Sequence, residues 1–123
     1  MDVRHVLVVD DDPGIRQVIT MLLEEEGYTV SSAADGLEAL EWLTHAEADA
    51  ILLDYQMPNC DGHAFATAYR QRPGPASPII LLTASHDLRE RCRRVEADGC
   101  LAKPFDVESL FTAIAQQTHD HPR

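Results

Sequence analysis

The sequence predicts an α/β fold, a parallel β-sheet of five strands with helices on both of its faces. Three observations predict it. Short apolar runs without charge recur along the chain, amphipathic stretches separate them, and polar residues suited to chemistry follow the ends of the runs. Uncharged runs of Val, Ile and Leu are what strands covered on both faces require. A strand–helix order repeated five times makes the strands parallel through right-handed crossovers.

The first strand is read at residues 6–9, all Val or Leu. The first helix follows over 13–26, with Ile15, Val18, Ile19, Leu22 and Leu23 on one face. Asp12 caps it, Pro13 suits its first turn and Gly27 ends it. The second strand, 28–33, is weaker, with Val30 among small and β-branched residues. The second helix, 35–45, spaces Leu37, Leu40 and Leu43 by three. The third strand is 50–53 and the third helix 61–72. Pro73, Gly74, Pro75 and Pro78 punctuate the approach to the fourth strand at 79–82. A helix over 86–97, a short strand at 101–102 and a helix over 106–117 complete the set. Residues 1–123 form one domain, ordered from about 4 to 118, with a polar, frayed tail from Thr118 onward.

Ten Lys and Arg against 21 Asp and Glu give a net charge of −11. Such a chain repels a nucleic-acid backbone, so this domain is not expected to bind nucleic acid directly. Cys60, Cys92 and Cys100 are odd in number and widely spaced, with no Cys-x-x-Cys. That predicts free thiols in a reducing compartment. No apolar stretch is long enough to span a bilayer, and the N-terminus lacks a signal-peptide pattern, which makes the cytoplasm the expected location.

Polar residues gather where strands end. Asp10, Asp11 and Asp12 follow the first strand, Asp54 the third, Thr83 the fourth and Lys103 the fifth. In an open parallel sheet these ends share one crevice, where ligands bind. Gathered carboxylates repel one another unless a cation joins them. Oxygen ligands without Cys or His select Mg²⁺, or Mn²⁺ in its place. A carboxylate can also attack phosphorus to form an aspartyl phosphate. That step needs a metal ion, an ammonium and a hydroxyl donor around the developing charge. Lys103 is the only lysine in the chain, and the bond to Pro104 is of the Xaa-Pro type that can be cis.

Four segments together resemble the receiver domain of two-component response regulators, with chemotaxis regulators among the similar proteins. They are Val8-Val9-Asp10-Asp11-Asp12, Leu52-Leu53-Asp54-Tyr55-Gln56-Met57-Pro58-Asn59-Cys60-Asp61-Gly62, Leu82-Thr83-Ala84 and Lys103-Pro104-Phe105. The resemblance covers nearly the whole chain. It implies a flavodoxin-like doubly wound sheet of order 2-1-3-4-5. Asp54 would accept phosphate from a histidine kinase or histidine phosphotransfer protein. Asp10, Asp11, Asp54 and the backbone carbonyl of Gln56 would bind the metal, with Asp10 assisting. Thr83 and Lys103 would contact the phosphoryl oxygens. The helix 4, strand 5 and helix 5 surface would change and signal to a downstream protein or the protein's own output domain, as a monomer able to dimerise on phosphorylation. The first helix and the loop 103–105 would dock the phosphoryl donor. The domain would catalyse its own phosphorylation and slow dephosphorylation without being a metabolic enzyme. Three residues before the lysine the family usually has an aromatic residue. Here it is Cys100, too small to bury comparable area, so switching is expected to run through loop and helix-4 shifts.

Taken singly, each of these residues has a blander reading. An acidic run is more often a solvated cap, and Thr83 and Lys103 alone would be ordinary strand-end and surface residues. Arg89, Arg91, Arg93 and Arg94 read first as a solvated, salt-bridged helix with Glu90 and Glu96, and second as a partner surface. Cys60 reads as loop filler. Tyr55 and Gln56 are expected to tune water access, and Ser85 to share the rim. Two other functions use the same fold. An aspartate-nucleophile phosphohydrolase would use Asp10 and Asp12, but it needs a cap to hold substrate and leaves Asp54 idle. A flavin carrier needs a hydroxyl- and Gly-rich phosphate loop where this chain has three aspartates.

Overall fold

The computed structural model describes residues 4–57, 60–74 and 76–119. Pro58, Asn59, Pro75 and the tail beyond 119 lie outside the described residues, as do the side chains of Ser85 and His119. The chain runs β1 (His5–Val9), α1 (Pro13–Glu25), β2 (Thr29–Ala33), α2 (Gly36–Trp42), β3 (Ala50–Asp54), α3 (Gly62–Arg70), β4 (Ile79–Ala84), α4 (Leu88–Val95), β5 (Gly99–Lys103) and α5 (Val107–His119). A short 3-10 turn, Ser85–Asp87, precedes α4. All strand pairs are parallel, in the order β2-β1-β3-β4-β5.

The three central strands are sealed on both faces: Val6 to Val9, Ala50 to Leu53 and Ile79 to Leu82 have no exposed surface. Period two divides their side chains between two cores. Leu7, Val9, Ile51, Leu53, Ile79 and Leu81 pack with Ala39 of α2 and Leu43 just past it, Phe65 and Tyr69 of α3 and Val95 of α4. Val6, Val8, Leu52, Ile80 and Leu82 pack with Ile19 and Leu23 of α1 and Leu110 and Ile114 of α5.

The helix termini follow the expected chemistry. Asp12 caps α1 by accepting from the Gly14 and Ile15 amides, and Gly27 takes φ 98° just past its end. Asp35 and Asp61 cap α2 and α3. The Lys103–Pro104 bond is cis.

Leu37 is 57% exposed, because the inward face of α2 is made by Gly36 and Ala39, with Leu43 buried just past its end. Three expectations need correction. Thr118 is not frayed: it is buried in α5, and its hydroxyl donates to the Ile114 carbonyl. On α4 the ion pair runs from Arg91 to Asp87 in the preceding turn. Finally, Cys92 and Cys100 are not free thiols but are joined as a disulfide, with Cα atoms 6.2 Å apart. Glu96, at φ 56°, turns the chain back beneath α4, so β5 starts under the helix that carries Cys92. Cys60 is free and buried, packed against Gly36.

Candidate functional site

Strand register builds the site one step at a time. Val9 pairs with Leu53, so Asp10 and Asp54 emerge side by side one residue later. Asp54 pairs with Leu82, and Thr83 is the next residue of β4. Thr83 pairs with Ala102, and Lys103 is the next residue of β5. Period two also assigns the faces. Asp10, Asp54 and Lys103 continue the rows of Val8, Leu52 and Leu101, which face α1 and α5. Thr83 continues the row of Ile79 and Leu81, which faces α3 and α4.

Asp10 and Asp54 are almost fully buried, 1% and 6% exposed, whereas Asp11 is exposed. One carboxylate oxygen from each lies within 4.8 Å of the other two. Lys103 Nζ donates to Asp54 Oδ1 at 3.1 Å and stands 3.6 Å from Asp10 Oδ2. Asp10 Oδ1 accepts from the Asp12 amide, but its Oδ2 has no hydrogen-bond donor among the described residues. Arg16 reaches back to the Asp10 carbonyl at 2.7 Å and fixes the turn.

One ammonium thus faces two buried carboxylates, and the exposed Asp11 carboxylate lies beside them. Burial pushes the Asp54 carboxyl up to about 6, and the Asp10 charge adds to the rise, while the hydrogen bond and charge of Lys103 oppose it. For Lys103, burial pulls downward but the hydrogen bond and charge of Asp54, with Asp10, outweigh it, so the ammonium is held above the ordinary lysine value. The arrangement is short of positive charge. An orphaned buried carboxylate oxygen beside two more carboxylates fits a hard divalent cation with oxygen ligands.

The cleft onto which Asp54 and Lys103 open has a volume of about 910 Å³. Gln56, Thr83, Lys103 and Arg91 border it at the polar end. Ile15, Val18, Leu22, Phe105 and Val107 border an apolar extension between α1 and α5. Val18 and Val107 are 56% and 40% exposed. Tyr55 is half-buried and Gln56 exposed.

The structure brings together Asp10, Asp11, Asp54, Thr83 and Lys103. Asp12 is occupied in capping α1. Arg91 is the site residue that sequence reasoning missed. Its Nη1 donates to Thr83 Oγ1 at 2.9 Å, and its guanidinium lies 4.5 Å from the centre of the Tyr55 ring. The available signal was its spacing from Asp87, one helical turn earlier.

A family model described as "Response regulator receiver domain" matches residues 6–115. Response regulator MprA of Mycobacterium ulcerans (strain Agy99) is 42% identical over 116 residues, 93% of this chain and 49% of that protein. The chain spans about half the length of the curated relatives it matches. Among solved structures, chemotaxis response regulator CheY4 of Vibrio cholerae is 36% identical with TM-score 0.85, covering 94% of this chain and 98% of that one. The receiver domain of sensor histidine kinase PA1611 from Pseudomonas aeruginosa PAO1 is 32% identical with TM-score 0.88, covering 97% and 100%. It has a magnesium ion coordinated in its active-site cleft.

Proposed function

Since the chain belongs to the response regulator receiver domain family, we propose that its phosphorylation-dependent signalling switch is thrown at Asp54. The observation that supports this assignment most is the hydrogen bond from the chain's only lysine to Asp54, beside a buried carboxylate oxygen with no donor among the described residues. Among the described residues, Asp54 is the one acid that touches the ammonium at hydrogen-bond distance and opens onto the cleft.

An Asp54 carboxylate oxygen attacks the phosphorus of a phosphohistidine on a histidine kinase or histidine phosphotransfer protein. The new O–P bond forms as the N–P bond breaks, and the imidazole leaves with the electron pair. Lys103 neutralises one phosphoryl oxygen as a point charge, and the Thr83 hydroxyl donates to another. Mg²⁺, or Mn²⁺ with the same preference for oxygen, would be held by Asp10, Asp11, Asp54 and the Gln56 backbone carbonyl, and when bound supplies further neutralisation of the phosphoryl oxygens. Water returns Asp54 to the carboxylate slowly, with Tyr55 and Gln56 at the mouth controlling its access. The domain promotes its own phosphorylation and dephosphorylation and turns over no metabolite.

The apolar extension between α1 and α5 suits the docking of the phosphoryl donor, because Val18 and Val107 leave an exposed hydrophobic strip beside Asp54. The changed surface is α4, β5 and α5, presented to a downstream protein or output domain, with dimerisation on phosphorylation as one readout. We place the module in the cytoplasm as a single receiver domain over 1–123. No helix among the described residues is long and apolar enough to cross a membrane.

The phosphohydrolase alternative gains no support: the second acid that it needs, Asp12, has its Oδ1 taken up by two helix amides. The deciding experiment is incubation with acetyl phosphate and Mg²⁺, followed by peptide mapping. Labelling of Asp54, lost in Asp54→Asn, is expected. Labelling of Asp10, or sustained turnover of phosphomonoesters, would replace this reading with the alternative.

A further inference from the structure

α4 buries a single side chain, Val95, among its eight residues. Besides the Cys92–Cys100 disulfide, polar tethers hold it at both ends. At its C-terminal end Arg70 of α3 donates to the carbonyls of Val95 and Glu96. Toward its N-terminal end the tether is Arg91, which reaches three groups at once: the Thr83 hydroxyl at 2.9 Å, the Asp87 carboxylate at 3.2 Å and the face of Tyr55. Asp87 makes no capping hydrogen bond to the helix, so its carboxylate faces Arg91 instead.

The direction of the Arg91–Thr83 bond matters. A guanidinium only donates, so the Thr83 oxygen accepts and its own O–H is left for another acceptor. Donation into that oxygen polarises the O–H and strengthens it as a donor. We propose that Arg91 is a positioning residue for phosphorylation, holding the Thr83 hydroxyl as a donor toward the phosphoryl group and linking Asp54 to α4 through the same bond. The proposal rests on the assignment of Asp54 and Thr83 above. It also gives the chain a coupling element where Cys100 is too small to act by bulk. Thr83 and Cys100 both lie on the side of the sheet that faces α4, and Cys100 is already tied to Cys92. A phosphoryl group of roughly two negative charges beside Thr83 attracts the guanidinium as well, which draws the first turns of α4 toward the site.

The test times Asp54 phosphorylation by acetyl phosphate in saturating Mg²⁺ for wild type, Thr83→Ala, Arg91→Gln and the double variant. Arg93→Gln, an exposed position on the same helix, controls for charge. Arg91→Gln should slow the reaction about fivefold and Thr83→Ala about tenfold, while the double variant is no slower than Thr83→Ala alone, because Arg91 acts through that hydroxyl. Arg93→Gln should match wild type, and Arg91→Lys should recover part of the rate. Amides of residues 88–95 should gain exchange protection with beryllofluoride and Mg²⁺ in wild type but not in Arg91→Gln. An unchanged rate in Arg91→Gln, or slowing in the double variant that multiplies to about fiftyfold, overturns the role of Arg91 and leaves Asp54 in place. Wild-type labelling anywhere but Asp54 removes the phosphoacceptor assignment, and the role of Arg91 with it.

Discussion

Lys103 Nζ lies 3.1 Å from Asp54 Oδ1, which makes one ammonium the principal counter-charge of the buried carboxylate. The same ammonium stands 3.6 Å from Asp10, so it is shared and cannot fully neutralise either acid. Lys103→Met keeps the length of the stem but removes the charge. The rate of Asp54 phosphorylation by acetyl phosphate should fall about a hundredfold, the scale of losing one preorganised group that stabilises developing charge. A rate within a factor of about two of wild type would show that Lys103 does not contact the reacting group.

Asp10 Oδ2 is buried without a hydrogen-bond donor among the described residues, next to Asp11 and Asp54. A divalent cation held there would relieve that arrangement in the folded state alone. Mg²⁺ at about a hundred times its dissociation constant should therefore stabilise the protein by about 2.7 kcal/mol. Asp11→Asn should weaken the effect. Asp11 is exposed, so this change should leave the metal-free stability nearly as it was. Urea melts with and without Mg²⁺ measure both quantities. An equal gain in wild type and Asp11→Asn would take Asp11 out of the ligand set.

How far the sequence could be read follows from burial. β1, β3 and β4 are covered on both faces, so their runs are wholly apolar and stand out. β2 and β5 are edge strands with intermediate or exposed residues, such as Ser31 and Ser32 in β2 and Gly99 in β5. They read weakly, and β5 was recognised over only its Leu101–Ala102 centre. Asp10, Asp54, Thr83 and Lys103 were legible because each adjoins the apolar core of a strand. Arg91 was not, since a helical Arg among three others looks solvated until the fold shows Thr83 beneath it. The Cys92–Cys100 pair was hidden because only the left-handed turn at Glu96 brings β5 back under α4.

That pair gives a prediction of its own. The bond between Cys92 and Cys100 closes a short loop from α4 to β5. Alkylation without reductant should modify Cys60 at most, and slowly, because it is buried. Reduction should expose two further thiols. Cys92→Ser should lower stability by about 2 to 3 kcal/mol relative to the oxidised protein, from the loop-closure entropy that is lost. Prompt alkylation of all three cysteines in unreduced, folded protein would show that the bond does not form.

Asp54 sets a pH dependence whose sign is unusual for an acid. Its carboxyl is raised from the ordinary 3.8 to about 6, first by burial and then by the Asp10 charge. Between these values the folded protein binds more protons than the unfolded chain. The stabilising contribution is complete below about pH 4 and is lost as pH rises through about 6. At pH 7 without metal the ionised group costs the fold roughly 2 to 3 kcal/mol, one pKa unit being worth about 1.4. Asp54→Asn removes the ionisation, so the metal-free variant should be more stable than wild type at pH 7 and nearly equal to it at pH 4. Urea midpoints across that window in the presence of a chelator measure the difference. Equal stability of the two proteins at pH 7 would mean that the Asp54 carboxylate is as well solvated in the fold as in the unfolded chain. The burial of Asp54 would then not set its proton affinity.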